Sequence, residues 1–193
     1  MTLSPRFEEA LVLATRLHAD QYRKGSDVPY ICHPLAVASL VLGAGGDEDQ
    51  AIAALLHDAI EDQGEQIDLD QIRRRFGGKV AAIVDGCTDA HTRPKPSWRG
   101  RKQAYIAHLQ HAPAPERLVA IADKLHNARS LLYDYAEVGE KVWERFTGGR
   151  EGTLWYYHAL VEALQSAGPI PYLNEFQRVV SEIERLAAEN EPV

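Results

Sequence analysis

Four polar residues interrupt an apolar helical pattern in the segment 51–62, AIAALLHDAIED. His57 and Asp58 follow directly on apolar residues, and Glu61 and Asp62 come one helical turn later. At about 100° per residue, the three carboxylates share one helix face and the imidazole borders it. Charged groups inside an apolar core are costly unless they are paired or bind a metal ion. The segment therefore predicts a pair of metal ligands with two further carboxylates beside it.

Two other places in the chain put a metal-binding type of side chain against apolar residues. His33 stands just before Pro34 at the start of an apolar segment, and Asp123 lies in the segment IADKLHNARSLL. Alone, such a histidine usually caps or packs, and such an aspartate can form a local ion pair with the next lysine. Together with His57 and Asp58, however, they make a ligand set that suits manganese, iron or zinc better than calcium. The combination favours one divalent metal site that activates water and polarises a phosphoryl oxygen.

The composition is ordinary for a globular protein and excludes several partners. The chain has 193 residues, 45% hydrophobic and 25% charged, and its net charge is −7, which argues against binding to nucleic acid polymers. No apolar run of about 18 residues is present, so we expect no membrane span. The first ten residues, MTLSPRFEEA, lack the basic start and apolar run of a signal peptide, so we expect a cytoplasmic protein. Two cysteines without a CxxC motif predict reduced thiols.

Almost every periodic segment repeats at three to four residues, which predicts an all-α fold. The predicted helices are 5–20, 35–44, 47–62, 69–76, 80–84, 101–111, 116–132, 137–146, 152–165 and 172–190, and the third of them opens at residues 47–49. The segment 89–100 holds two prolines, a tryptophan and basic residues, which is typical of a surface loop. We expect one domain over residues 1–193, a multi-helix bundle around the metal site, in which the helices of 137–190 complete a core formed by 14–132.

The segments HPLAVASLV, LLHDAIED and IADKLHNARSLL resemble those of the HD-type metal phosphohydrolases. The segment QYRKGSDVPYICHP narrows the resemblance to the hydrolase domain of the RelA/SpoT family and the small alarmone hydrolases. A His-Asp dipeptide alone is unspecific, whereas its combination with a Glu-Asp pair, an Arg-Lys pair and DKLHN is specific. The resemblance covers about residues 14–132 and implies an HD-domain fold.

The resemblance implies a role for each matching residue. The metal ligands of the family fall on His33, His57, Asp58 and Asp123. Its carboxylates that activate the attacking water fall on Glu61 and Asp62. Its substrate contacts fall on Arg23, Lys24, Lys124 and Asn127. The implied reaction is hydrolysis of guanosine tetra- or pentaphosphate at the 3′ position, which releases pyrophosphate and prefers manganese.

Three departures from the family pattern leave alternatives open. Ala59 and Gln63 replace threonines that are frequent in the family, and Asp89 stands where many members have a lysine. Ala59 and Gln63 are expected only to tune the activity. The change at Asp89 leaves open an HD phosphohydrolase for another nucleotide, such as an adenine alarmone, a deoxynucleotide or a phosphorylated cofactor. A non-catalytic nucleotide-binding or antitoxin module is disfavoured because every ligand and both activating carboxylates are present. Whether copies of the chain associate stays open.

Other polar and aromatic residues carry weaker signals. The remaining histidines are predicted to be surface or packing groups: His18, His91, His108, His111, His126 and His158. Because His126 lies in the DKLHN motif, a role at the site stays open for it as a weak alternative. Trp155, Tyr156 and Tyr157 could offer a purine an aromatic surface, although core packing is the favoured interpretation.

Overall fold

Helices account for nearly all regular structure in residues 2–90 and 94–190, the ranges that this computed structural model describes. They are α1 (Pro5–Leu17), α2 (Cys32–Gly43), α3 (Glu48–Leu56), α4 (Ala59–Gln63), α5 (Leu69–Phe76), α6 (Gly78–Cys87), α7 (Trp98–Leu109), α8 (Ala114–Val138), a 3-10 helix (Gly139–Arg145), α9 (Gly149–Ser166) and α10 (Leu173–Glu189). Within the same ranges, β pairing is limited to one isolated bridge between Tyr22 and Pro29. The all-α prediction is confirmed. The predicted surface residue His91 lies outside the described residues.

Local capping residues start four of the helices. Ser4 and Ser97 accept hydrogen bonds from backbone amides in the first turns of α1 and α7. Asp47 with Gln50, and Asp68 with Gln71, form capping boxes at the starts of α3 and α5. In each box the two side chains satisfy backbone amides that the helix itself leaves unpaired. These starts are therefore encoded locally and can be predicted from the sequence.

The site is carried by the most deeply buried helices. Every residue from Ala51 to Leu56 in α3 is buried, and α3 packs against α1, α2, α6 and α8. A helix that is apolar on all sides requires such enclosure. α8 packs in turn against α2, α6 and α10. Side chains that project from α2, α3 and α8 toward one another are therefore held by the core.

The prediction of a single helix over 47–62 has the right start, because Asp47 caps α3, but it is wrong in its continuity, because the chain turns at His57 and Asp58. α3 ends at Leu56, and His57 and Asp58 lie in a turn before α4 begins at Ala59. The Nδ1 atom of His57 lies 2.7 Å from the carbonyl oxygen of Ala54, which a continuous helix reserves for the backbone amide of Asp58. The turn directs these two side chains to the site and leaves the two later carboxylates on α4.

Other boundaries shift without changing the architecture. α8 runs further in both directions than the predicted 116–132, and much of the predicted helix 137–146 is a 3-10 helix. α7 begins at Trp98, which shortens the predicted loop 89–100. None of the described helices is both long enough and apolar enough to cross a bilayer.

Candidate metal centre

Two buried histidines meet at the centre of the fold. His33 comes from the first turn of α2 and His57 from the turn after α3, and both are almost completely buried. Their Nε2 atoms lie 3.2 Å apart. Asp58 Oδ2 lies 3.1 Å from His57 Nε2 and 3.5 Å from His33 Nε2. These three side chains each offer one ligand atom, and the three atoms lie within 4.8 Å of one another.

Asp123 of α8 adds a second carboxylate to this arrangement. Its Oδ1 atom lies 3.2 Å from His33 Nε2 and 3.7 Å from His57 Nε2. The same oxygen accepts a hydrogen bond from Asn127 Nδ2 at 2.5 Å. Its other oxygen, Oδ2, accepts one from Lys124 Nζ at 2.5 Å. Two imidazole nitrogens and two carboxylate oxygens therefore converge from three separate parts of the chain.

The carboxylates of Asp58 and Asp123 stabilise positive charge in the cluster. Burial alone lowers the pKa of a histidine, but the charges of Asp58 and Asp123 outweigh it and raise the pKa of His57 well above its usual value. Burial alone raises the pKa of a carboxyl, but neighbouring cations outweigh it and hold the pKa of both aspartates well below the usual range. His57 is the main cation beside Asp58, and Lys124 is the main one beside Asp123.

This donor set fits a divalent metal ion. A carbonyl oxygen can only accept, so the contact with Ala54 places the proton of neutral His57 on Nδ1 and leaves its Nε2 lone pair facing the cluster. A metal ion bound at this cluster would replace the proton of cationic His57 and accept the Nε2 lone pairs of both rings, which lie 3.2 Å apart. Borderline divalent ions favour such mixed nitrogen and oxygen ligands, and the two carboxylates balance their charge. The coarse prediction of a divalent metal site is confirmed.

The two further carboxylates lie on α4 beside this cluster. Glu61 Oε1 accepts a hydrogen bond from Lys95 Nζ at 2.9 Å and lies 4.0 Å from Arg101. Asp62 Oδ2 accepts one from Gln21 Nε2 at 2.7 Å. Burial and the charge of Asp58 raise the pKa of Asp62. A carboxylate with a raised pKa is a better proton acceptor near neutral pH.

The predicted substrate contacts occupy three different environments. Arg23 donates a hydrogen bond at 2.8 Å to Asn127, whose amide in turn binds Asp123. Lys124 points its ammonium group at Asp123 and lies 5.0 Å from the ring centroid of Tyr105. Lys24 is exposed on the loop after α1. The structure thus connects Arg23 and Asn127 to the cluster of histidine and aspartate side chains and leaves Lys24 at the surface.

Asp89, one of the three residues that depart from the family pattern, anchors two cations. Its carboxylate accepts hydrogen bonds from Arg101 and Lys102, each at 2.6 Å, and its side chain is only 4% exposed. Burial raises the pKa of this carboxyl, but the two cations outweigh burial and lower it. Because Arg101 also approaches Glu61, Asp89 fixes basic groups beside the predicted catalytic carboxylate.

Three residues outside the predicted set of ligands, catalytic carboxylates and substrate contacts lie against the site. The Tyr30 hydroxyl donates to Asp58 Oδ2 at 2.6 Å, Gln21 binds Asp62, and His126 Nδ1 lies 2.7 Å from His33 Nδ1. Tyr30 and Gln21 lie in the motif segment before His33, which is the sequence signal that could have identified them.

Two of the histidines predicted to be surface or packing groups lie near the site. His18 is buried, and its ring lies 4.9 Å from that of Tyr30. Burial first, and then the charge of His33, lower the pKa of His126 to about 4, so its imidazole is neutral at pH 7. His126 therefore faces a predicted metal ligand as an uncharged hydrogen-bonding partner.

The aromatic residues of α9 belong mainly to the core. Tyr156 and Tyr157 are buried, and the Arg99 guanidinium lies 3.2 Å from the ring centroid of Trp155. Trp98 of α7 packs edge-on against Trp155 and Tyr156, at centroid distances of 6.2 and 6.3 Å. These contacts favour the packing interpretation over an open aromatic surface for a purine.

Comparison with known proteins identifies relatives of this arrangement. A family model described as HD domain matches residues 10–154. The chain is 40% identical over 126 residues to guanosine-3′,5′-bis(diphosphate) 3′-pyrophosphohydrolase MESH1 of Xenopus tropicalis, a match that covers 64% of this chain and 68% of that protein.

Two solved structures are similar in fold. The crystal structure of lmo0812 from Listeria monocytogenes EGD-e is 33% identical, covers 79% of this chain and 99% of its own, and gives a TM-score of 0.71. The structure of a metazoan orthologue of SpoT is 22% identical, covers 100% of this chain and 99% of its own, and gives a TM-score of 0.73.

Proposed function

Since this chain belongs to the HD domain family, and within it to the family of the MESH1 pyrophosphohydrolases, we propose that it hydrolyses the 3′-pyrophosphate of guanosine tetra- and pentaphosphate. One observation carries the proposal: two imidazoles and two carboxylates converge from α2, the turn at 57–58 and α8, next to a pair of carboxylates on α4. The reaction adds the oxygen of water to the phosphorus on the ribose 3′ oxygen. The bond between this phosphorus and the ribose 3′ oxygen breaks, and the products from the tetraphosphate are GDP and pyrophosphate.

We propose that four atoms hold one divalent metal ion. They are His33 Nε2, His57 Nε2, Asp58 Oδ2 and Asp123 Oδ1. A divalent ion bound there lowers the pKa of a water molecule toward neutrality and polarises a phosphoryl oxygen. Manganese is the preferred ion in this proposal, because mixed imidazole and carboxylate ligands suit it and the resemblance to the alarmone hydrolases implies it.

The carboxylates of α4 handle the proton of the attacking water. Glu61 receives this proton on a carboxylate oxygen and returns it to the departing ribose 3′ oxygen, which becomes the 3′ hydroxyl of GDP. The hydrogen bond with Lys95 at 2.9 Å holds that carboxylate in place. Asp62 shares the proton, since burial and Asp58 raise its pKa. Gln21 fixes the Asp62 carboxylate through the hydrogen bond at 2.7 Å.

Basic groups around the site bind the phosphates and stabilise the charge that develops on them. Arg23 lies on the loop after α1, and its hydrogen bond to Asn127 holds it in place for phosphate binding. Lys24 and Lys124 are the further substrate contacts in the proposal. Arg101, anchored by Asp89, adds a cation on the side of Glu61. Fixed cations that are already oriented stabilise a phosphoryl transition state without reorganisation during the reaction.

A nucleotide panel tests the proposed function. Purified protein with Mn²⁺ is incubated with guanosine tetraphosphate, the corresponding adenine alarmone, deoxynucleotides and NADP⁺, and the products are separated by anion exchange. We expect GDP and pyrophosphate in equal amounts from the guanosine tetraphosphate. Turnover of the adenine alarmone alone would transfer the proposal to the alternative nucleotide, whereas tight binding without turnover under any metal would favour a non-catalytic module.

Variants at the turn 57–58 connect that activity to the metal centre. His57→Ala and Asp58→Ala should abolish both Mn²⁺ binding and turnover, because each removes one ligand atom of the cluster. His158→Ala is the matched control, since His158 lies on α9 with its side chain 62% exposed. Turnover retained in either ligand variant would contradict the proposal.

A further inference from the structure

The two central histidines have different partners on the side away from the cluster. His57 Nδ1 pairs with the carbonyl oxygen of Ala54 at 2.7 Å, and His33 Nδ1 pairs with His126 Nδ1 at 2.7 Å. A carbonyl oxygen only accepts, so the proton position on neutral His57 is fixed by the backbone. An imidazole nitrogen can accept or donate, so the proton position on His33 depends on the state of His126.

Only one arrangement of this pair leaves His33 able to bind a metal ion. His33 Nε2 is the atom that faces His57 and Asp123, at 3.2 Å from each. Its lone pair is available there only if the proton of neutral His33 is on Nδ1. His126 Nδ1 must then be the acceptor, and the proton of His126 is on its Nε2. The opposite arrangement would place a proton on His33 Nε2 and block coordination.

The position of His126 in α8 supports this role. His126 follows Asp123 by three residues and precedes Asn127, so all three project from neighbouring positions on one side of the helix. The ring centroids of His33 and His126 lie 4.8 Å apart, and the ring planes are tilted by 41° to each other. α8 thus supplies Asp123 to the cluster and, one turn later, a partner for the histidine opposite.

We propose that His126 is a positioning residue, which accepts the Nδ1 proton of His33 and so holds the Nε2 lone pair of His33 toward the metal site. This inference rests on the metal-binding role in the proposed function. It explains a residue of the DKLHN motif that the metal ligands and the substrate contacts leave without a task. Partners of this kind orient the ligand ring and increase its basicity, and their loss typically weakens metal binding by about 10- to 100-fold.

A pair of nearly isosteric variants separates this hydrogen bond from simple packing. The Oδ1 atom of asparagine lies close to where the Nδ1 atom of histidine lies, so His126→Asn keeps an acceptor for His33. His126→Leu has a similar shape and no acceptor. Isothermal titration with Mn²⁺ should give a dissociation constant about 10- to 100-fold higher for the leucine variant, and one close to the parent value for the asparagine variant. Thermal unfolding in EDTA checks that both variants fold.

A second measurement reads the proton position directly. Long-range ¹H–¹⁵N correlation spectra of the Zn²⁺-loaded protein should show His33 protonated on Nδ1. Equal Mn²⁺ affinity in the leucine variant and the parent, or an asparagine variant as weak as the leucine variant, would overturn the inference. A parent protein that binds Mn²⁺ but leaves guanosine tetraphosphate intact would defeat the proposed function, while the affinity series would still decide the role of His126. A parent without affinity for Mn²⁺ would overturn both.

Discussion

Replacing Tyr30 by phenylalanine should weaken metal binding although Tyr30 is not a proposed ligand. Its hydroxyl donates a hydrogen bond at 2.6 Å to Asp58 Oδ2, the same oxygen that lies 3.1 Å from His57 Nε2. Burial, and then the charge of Asp58, raise the pKa of Tyr30, so the hydroxyl keeps its proton and remains a donor at every physiological pH. The substitution removes this donor and leaves the ring in place.

The size of the effect follows from the role of this hydrogen bond, which orients the ligand oxygen of Asp58. Loss of a side chain that orients a metal ligand typically weakens metal binding by about 10- to 100-fold. Tyr30→Phe should therefore raise the dissociation constant for Mn²⁺ about 10- to 100-fold. Turnover should fall at low Mn²⁺ and recover as Mn²⁺ approaches saturation, because the ligand atoms themselves are all retained.

Isothermal titration and metal-dependent turnover assays measure both consequences. Tyr22→Phe is the matched control, because Tyr22 lies on the same loop and is 56% exposed. The control should bind Mn²⁺ like the parent. An unchanged dissociation constant in Tyr30→Phe would refute the reasoning, and so would an equal loss in the control, since the hydroxyl of Tyr30 would then have no specific role.

Three further substitutions test separate parts of the account. Glu61→Gln should lower kcat by about 10²- to 10⁴-fold and leave the Mn²⁺ affinity unchanged. Steady-state kinetics and isothermal titration measure the two quantities, and a kcat equal to that of the parent would show that Glu61 takes no part in proton transfer. Arg23→Ala removes the hydrogen bond to Asn127 and a proposed phosphate contact, so KM should rise about tenfold while the Mn²⁺ affinity stays unchanged. An unchanged KM would exclude that phosphate contact. Asp89→Asn should cost about 2 kcal/mol at pH 7, which lowers Tm by about 4–8 °C. Because the folded-state pKa of Asp89 is lowered, this difference should disappear as the pH falls below that pKa, and a difference that persists in acid would contradict the ion-pair explanation.

The helix starts and the metal ligands could be predicted for different physical reasons. Caps such as Asp47 act on amides within their own first turn, so the local sequence contains the whole interaction. The grouping of His33, His57 and Asp123 could be predicted because polar groups in apolar segments require partners, although no local rule relates positions so far apart. The resemblance to a known family supplied that relation.

The break at 57–58 and the partners of the ligands could not be predicted from local patterns. The break depends on the contact between the His57 ring and a backbone carbonyl, which helical periodicity does not register. Tyr30 and His126 act through residues that are 28 and 93 positions away in the chain. Their roles arise only when folding brings Tyr30 against the turn after α3 and brings α8 against α2, so the sequence places both residues in motifs without showing which atoms they contact.

Anomalous diffraction from crystals soaked in Mn²⁺ tests the central claim most directly, that distant parts of the chain hold one divalent ion. The account predicts one manganese peak between His33, His57, Asp58 and Asp123, at about 2.0–2.3 Å from two imidazole nitrogens and two carboxylate oxygens. A peak elsewhere, or no peak among these four side chains at saturating Mn²⁺, would contradict it.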